Sequence, residues 1–199
     1  MCIIWADKWQ NPYKSRLREA EKDEAVMEKF AEIADLGVIG VPRYLQLEVF
    51  REEMKDFFWE FEAAITSVNF KNPSRILAPS DRFHVRAFEQ IVPGFTTVEE
   101  RMVFCRRQVG NVFIGAQGIP VVFQKRELLP KDPEKKGRWY ASFDEKDRLW
   151  RDRRGCYSVP NLVVLSESEL YDFDLRCVES RRDKGYAFFC FQDISALSE

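Results

Sequence analysis

The sequence predicts an α+β protein: an N-terminal helical hairpin followed by a mainly antiparallel sheet with one capped helix packed on it. Three observations predict it. From Arg43 to Val68, the residues Leu47, Phe50, Met54, Phe57, Phe61, Ile65 and Val68 fall three or four apart, the repeat of one helix face. Beyond Asn72-Pro73 that repeat gives way to short alternating runs punctuated by Pro79-Ser80, Pro93-Gly94, Gly115 and Gly118. Among these runs a single segment, Thr96 to Val109, keeps a helical stripe behind a capping box.

Met1 to Trp9 reads as a short strand or extended anchor, with Ile3, Ile4, Trp5 and Trp9 as its apolar content. Lys14 to Leu36 follows as a helix, because Leu17, Ala20, Met27, Phe30, Ile33 and Ala34 recur at helical spacing and Gly37 suits the position after its end. Residues 38–42 then make a tight connection into the long helix, so residues 1–71 form the hairpin and its anchor. Residues 72–199 form the antiparallel body, in one compact unit with the hairpin.

In the body, Phe83 to Phe88 alternates as a half-buried strand does. Thr96 with Glu99, or Thr97 with Glu100, opens the helix whose inner stripe is Val98, Met102, Cys105 and Val109, and Gly110 closes it. Val112 to Ile114 and Ile119 to Phe123 read as two strands of a hairpin, and Lys125 to Gly137 as a solvated loop. Arg138 to Phe143 and Leu162 to Leu165 are strands. Leu170 to Val178, with Tyr171, Phe173, Leu175 and Cys177 on one face, and Tyr186 to Phe191 make a C-terminal antiparallel hairpin.

Composition narrows the function classes. The net charge of −2 provides no global basic field for nucleic acid or anionic membrane. Phe occurs 17 times, which implies aromatic packing surfaces and one that closes against another molecule. The five cysteines, Cys2, Cys105, Cys156, Cys177 and Cys190, are odd in number and lack paired short spacing. That pattern points away from a disulfide framework or zinc ribbon and toward a cytoplasmic or equivalent reducing interior compartment. The N-terminal apolar run is too short for a signal peptide and no stretch reaches the length of a membrane span, so no membrane insertion is expected.

Candidate chemistry is sparse. His84 is the lone histidine and the one candidate general base; paired with Cys105 it would make a nucleophile, although no nucleophile-elbow motif accompanies either. Asp172 and Asp174 have the Asp-x-Asp spacing that sets two carboxylates on one strand face, as metal-dependent nucleases need, but polar alternation on a half-exposed strand yields the same spacing. The glycines of VGNVFIGAQGIP match neither a P-loop nor a dinucleotide fingerprint. No catalytic set, metal set or cofactor is assigned.

The sharpest local match is Lys184-Gly185-Tyr186-Ala187-Phe188-Phe189-Cys190-Phe191, which resembles the RNP1 octapeptide of RNA-recognition motifs. The resemblance implies that Tyr186 and Phe188 stack bases from one strand face, that Lys184 with Arg181 or Arg182 meets phosphate, and that Phe189 and Phe191 point inward. It covers this octapeptide and no domain: Phe189 stands where an aliphatic residue is expected, and only Gln192 to Glu199 follow where the family has another helix and strand. Separately, Phe95 to Glu100, Gly118-Ile119-Pro120, Gly137-Arg138-Trp139 and Val178 to Lys184 recur in the order of landmarks of the mRNA cap-binding initiation factors. That resemblance implies cap recognition by a tryptophan sandwich, yet Val121 to Gln124 stand where the sandwich tryptophan is expected.

The expectation is a non-enzymatic binding or assembly protein, a subunit of a larger complex with a protein partner. The alternative is RNA or single-stranded nucleic-acid binding through Arg181, Arg182, Lys184, Tyr186 and Phe188. A small metal-dependent hydrolase or nuclease built on Asp172, Asp174 or His84 is the third reading.

Overall fold

In a computed structural model, which describes residues 23–132, 134, 137–179, 182 and 185–195, the β-branched and aromatic runs join in one nine-stranded sheet. In chain order the elements are β1 (Phe30–Gly40), α1 (Leu47–Glu53), β2 (Phe58–Phe61), β3 (Arg82–Gln90), α2 (Val98–Arg107), β4 (Asn111–Val112) and α3 (Gly118–Phe123). There follow β5 (Gly137–Ala141), β6 (Trp150–Arg151), β7 (Tyr157–Leu165), β8 (Tyr171–Cys177) and β9 (Tyr186–Asp193). Across the sheet the order is β1-β3-β9-β5-β7-β8-β2, with β4 paired to β9 and β6 to β7. All pairings of these strands are antiparallel except β5 with β9 and β2 with β8. The expected α+β class with a mostly antiparallel sheet is therefore what forms.

Each face of the sheet buries its own core. On one, Phe83 and Val85 of β3, Phe189 and Phe191 of β9, and Phe173 of β8 pack with Phe50 of α1 and Ile119 and Phe123 of α3. On the other, Phe88 and Phe188 pack beneath Val98, Met102, Phe104 and Cys105 of α2. Strand β9 is consequently covered on both faces, which suits its nearly continuous apolar run. Helix α2 starts as expected, and the structure selects between the two capping boxes: Thr97 Oγ1 accepts from Glu100 N at 3.1 Å, and Glu100 Oε2 accepts from Thr97 N at 2.7 Å.

The N-terminal hairpin is the main correction. Residues 23–27 are helical, but Phe30–Gly40 is a strand. Its register against β3 slips twice, between Glu32 and Ala34 and between Asp35 and Gly37, and each bulge sets two residues on the inner face in place of one. Ile33 with Ala34, Leu36 with Gly37, and then Ile39 thus recur every three residues, so a bulged strand imitates the helical repeat. The long helix is also broken. Leu47–Glu53 is helical, Lys55–Phe57 is a 3-10 turn, and Phe58–Phe61 pairs parallel to β8. Phe58 and Phe61 still reach Phe50, at ring-centroid distances of 5.7 and 6.2 Å, while Val68 lies 74% exposed. The anchor of Met1 to Trp9 lies outside the described residues.

Two further expectations change. Ile119 to Phe123 belongs to α3, not to a strand: every residue of this short helix is buried, so it carries no amphipathic period to read. The C-terminal hairpin does not form. Strands β8 and β9 are separated by β7 and β5 and run parallel, so the chain crosses the sheet between Cys177 and Tyr186. A disulfide, Cys156–Cys177, ties the start of this crossing to the segment before β7. It runs counter to the sequence pattern that pointed away from a disulfide framework, and it suits a non-reducing setting. No helix among the described residues is long and apolar enough to cross a membrane.

Candidate interaction site

The loop from Ile91 to Phe95 joins β3 to α2 and follows a glutamine with no solvent exposure. Gln90 spends its whole amide on this loop: Nε2 donates to Val92 O and to Gly94 O, each at 2.8 Å, and Oε1 accepts from Thr96 Oγ1 at 2.8 Å. Gly94 supplies the turn, with φ at +92°, a region that costs a residue bearing Cβ. Thr96 also accepts from Arg101 Nε at 3.0 Å, and Arg101 Nη1 donates to Tyr186 O on β9. The backbone of Thr96 exchanges two hydrogen bonds with that of Arg182, at 2.8 and 3.0 Å. Gln90, Thr96, Arg101 and Arg182 are all buried, so a satisfied polar network joins the loop, the start of α2 and the β8-to-β9 crossing.

What this network presents to solvent is apolar. Ile91 is 53% and Phe95 64% exposed, and Pro93 between them is exposed as well. Beside the loop, Trp139 of β5 stacks on Tyr186 of β9 at 5.0 Å between ring centroids. Arg182 lies over the Tyr186 ring at 4.9 Å and Arg176 over the Trp139 ring at 5.8 Å. Burial pushes the Arg182 guanidinium below its ordinary value, and nearby Arg176 adds to the shift. Trp139 Nε1 is buried and makes no hydrogen bond among the described residues.

The residues expected to bind nucleic acid divide. Arg181 and Lys184 lie outside the described residues. Arg182 and half-buried Tyr186 meet in the cluster just described. Phe188 does not join them: it is fully buried under α2, with Phe30, Phe88, Phe104 and Phe143 around it at 5.1 to 6.0 Å. The helix that the octapeptide cannot reveal takes the face on which Phe188 was expected to stack bases.

The catalytic candidates do not converge. His84 Nε2 and Asp35 Oδ1 are 2.8 Å apart on neighbouring strands, whereas Cys105 faces Cys190. The Asp35 carboxyl lies below its ordinary value, chiefly because it accepts from Gly37 N, with His84 a further cause. Asp174 pairs with Arg176 at 2.6 Å, and Asp172 accepts from Glu60 N at 3.2 Å. His84 on β3 and the two aspartates on β8 are four strand positions apart, about 19 Å at the usual spacing. Among the described residues no three His, Cys, Asp or Glu side chains gather in a metal-binding group.

An open cavity of about 290 Å³ lies elsewhere, between Leu45, Leu47, Phe70, Pro73, Ile76 and Gln117. Its lining is mostly apolar, and neither the catalytic candidates nor the polar network reach it.

Sequence reasoning missed Gln90, Thr96 as a network member, and Arg101. The visible cue was the exposed-looking Ile91-Val92-Pro93-Gly94-Phe95 tip, set directly before a capping box. The chain matches no protein-family profile, no curated protein and no solved structure.

Proposed function

We propose that this chain is a non-enzymatic binding protein, a subunit of a larger assembly, that docks a protein partner on the Ile91–Phe95 tip. The observation that carries this reading is Gln90. A buried amide costs desolvation and returns little net stability even when satisfied. Here all its hydrogen bonds hold a loop whose large side chains remain in solvent. Rigid, apolar and exposed is the combination that lowers the ordering cost of association. The partly exposed Trp139–Tyr186 pair with Arg176 extends the surface with residue types enriched where interfaces are strongest.

A photo-crosslinking amino acid at Phe95, with the same group at the still more exposed Val109 as a control, tests the reading in the native source. The expected result is a nuclease-resistant adduct to one protein at position 95 and none at position 109. Equal or absent adducts at both positions would overturn it. Single-stranded nucleic acid is the second reading, supported by half-exposed Tyr186, which lies beside Arg182 and stacks on Trp139 under Arg176. It takes over if the adduct at position 95 disappears with nuclease and Tyr186→Ala removes it.

A further inference from the structure

Beneath the polar network two cysteines face each other. Cys105 of α2 and Cys190 of β9 are 0% and 2% exposed, and their sulfurs are 3.4 Å apart. Cys105 Sγ also lies 3.8 Å from Phe189 O. A disulfide needs an S–S distance of about 2.0 Å, so the sulfurs must close by roughly 1.4 Å. Rotation about the two Cα–Cβ bonds is the motion that would close this gap. The fold already holds one disulfide, Cys156–Cys177. A setting that forms that bond is one in which a second facing pair also oxidises.

We propose that Cys105 and Cys190 are a second disulfide site, whose bond staples α2 to β9 under the Ile91–Phe95 tip. The oxidant is an external disulfide, either a low-molecular-weight one or that of a thiol oxidoreductase. One cysteine thiolate attacks a sulfur of the oxidant and displaces a thiolate; the other cysteine then attacks the mixed disulfide and displaces the second. Two cysteine thiols thereby lose two protons and two electrons, and the oxidant leaves as two thiols. Burial holds the Cys105 thiol well above its ordinary value, so the attacking thiolate is scarce in the folded chain. Neither sulfur is open to a reagent there. Exchange therefore takes place while the chain is open, and the closed core then shields the bond from reductant.

The test is a thiol count on the full chain, refolded from denaturant in a mixture of oxidised and reduced glutathione, then denatured, alkylated and weighed intact. The expected count is one alkylated cysteine, Cys2, falling to none in Cys2→Ala. A digest should give a crosslinked peptide pair containing Cys105 and Cys190. Protein folded with Cys156–Cys177 closed and the pair still reduced should oxidise at least about tenfold more slowly under the same buffer, since local opening limits the reaction. The stapled form should melt roughly 10 °C higher than Cys190→Ala, given the 85-residue separation. Three alkylated cysteines with Cys156–Cys177 intact, or a crosslink of Cys105 or Cys190 to any other cysteine, would overturn the proposal. A chain that resists refolding can be produced by secretion into an oxidising compartment and counted in the same way.

Discussion

At the scale of single residues, Gln90 has consequences out of proportion to its size. In Gln90→Leu the carbonyls of Val92 and Gly94 lose the Gln90 donor and the Thr96 hydroxyl, still accepting from Arg101, loses its acceptor, at a cost of about 1–3 kcal/mol. The expected signature is local: faster amide exchange across residues 91–95, with β9 still protected and the partner adduct at position 95 weakened. Uniformly faster exchange over the whole chain would instead mean that Gln90 serves global stability alone. Thr96 could not be assigned from sequence for a related reason. Two adjacent threonines each have a glutamate three residues on, and only tertiary packing decides that Thr97 caps the helix while Thr96 turns inward.

At the scale of elements, β9 and α2 decide how the octapeptide is to be understood. Phe188 is a core residue under α2, so Phe188→Ala should cost roughly 3–5 kcal/mol. Tyr186 is half exposed and should cost less, below about 2 kcal/mol on the same substitution. Urea denaturation of both variants checks this ordering; equal costs would mean that the Trp139–Tyr186 stack supports the fold as much as the core does. The strand from Tyr186 to Phe191 was legible in the sequence, because its aromatic, apolar run is local. That both faces of β9 are covered was not, since α2 and α3 come from distant parts of the chain.

At the scale of the whole molecule, the C-terminal end of the sheet is tied back by Arg75, which pairs with Asp193 at the end of β9 and with Asp81 at 3.3 Å. Partial burial pushes the Asp193 carboxyl up, but Arg75 and Ser195 outweigh it and leave the group below its ordinary value. A carboxyl lowered on folding stabilises fully above its unfolded value and loses that contribution as pH falls through the folded one. The melting temperature should therefore drop as pH falls through and below the ordinary aspartate range, and Asp193→Asn should flatten part of that slope. Asp144 acts in the opposite sense. Burial raises its carboxyl, so acidification relieves a penalty there, and Asp144→Asn should steepen the slope that Asp193→Asn flattens. Identical slopes for wild type and Asp193→Asn would remove this ion pair from the account.

Local pattern was enough to establish the mixed α+β class, the capped helix α2, and the strands near Phe83, Arg138, Leu162, Tyr171 and Tyr186. All rest on contacts or periodicities spanning a few residues. Packing between distant segments was needed to make Phe30–Gly40 a strand, since its bulges against β3 produce a helix-like repeat. The same packing breaks the Arg43–Val68 stripe so that Phe58–Phe61 can pair with β8, and sets β8 and β9 three positions apart instead of in a hairpin. The Gln90 network and the facing cysteines belong to the same class of fact. Each depends on which distant segment supplies the partner, and a one-dimensional pattern of apolar and polar residues does not encode that choice.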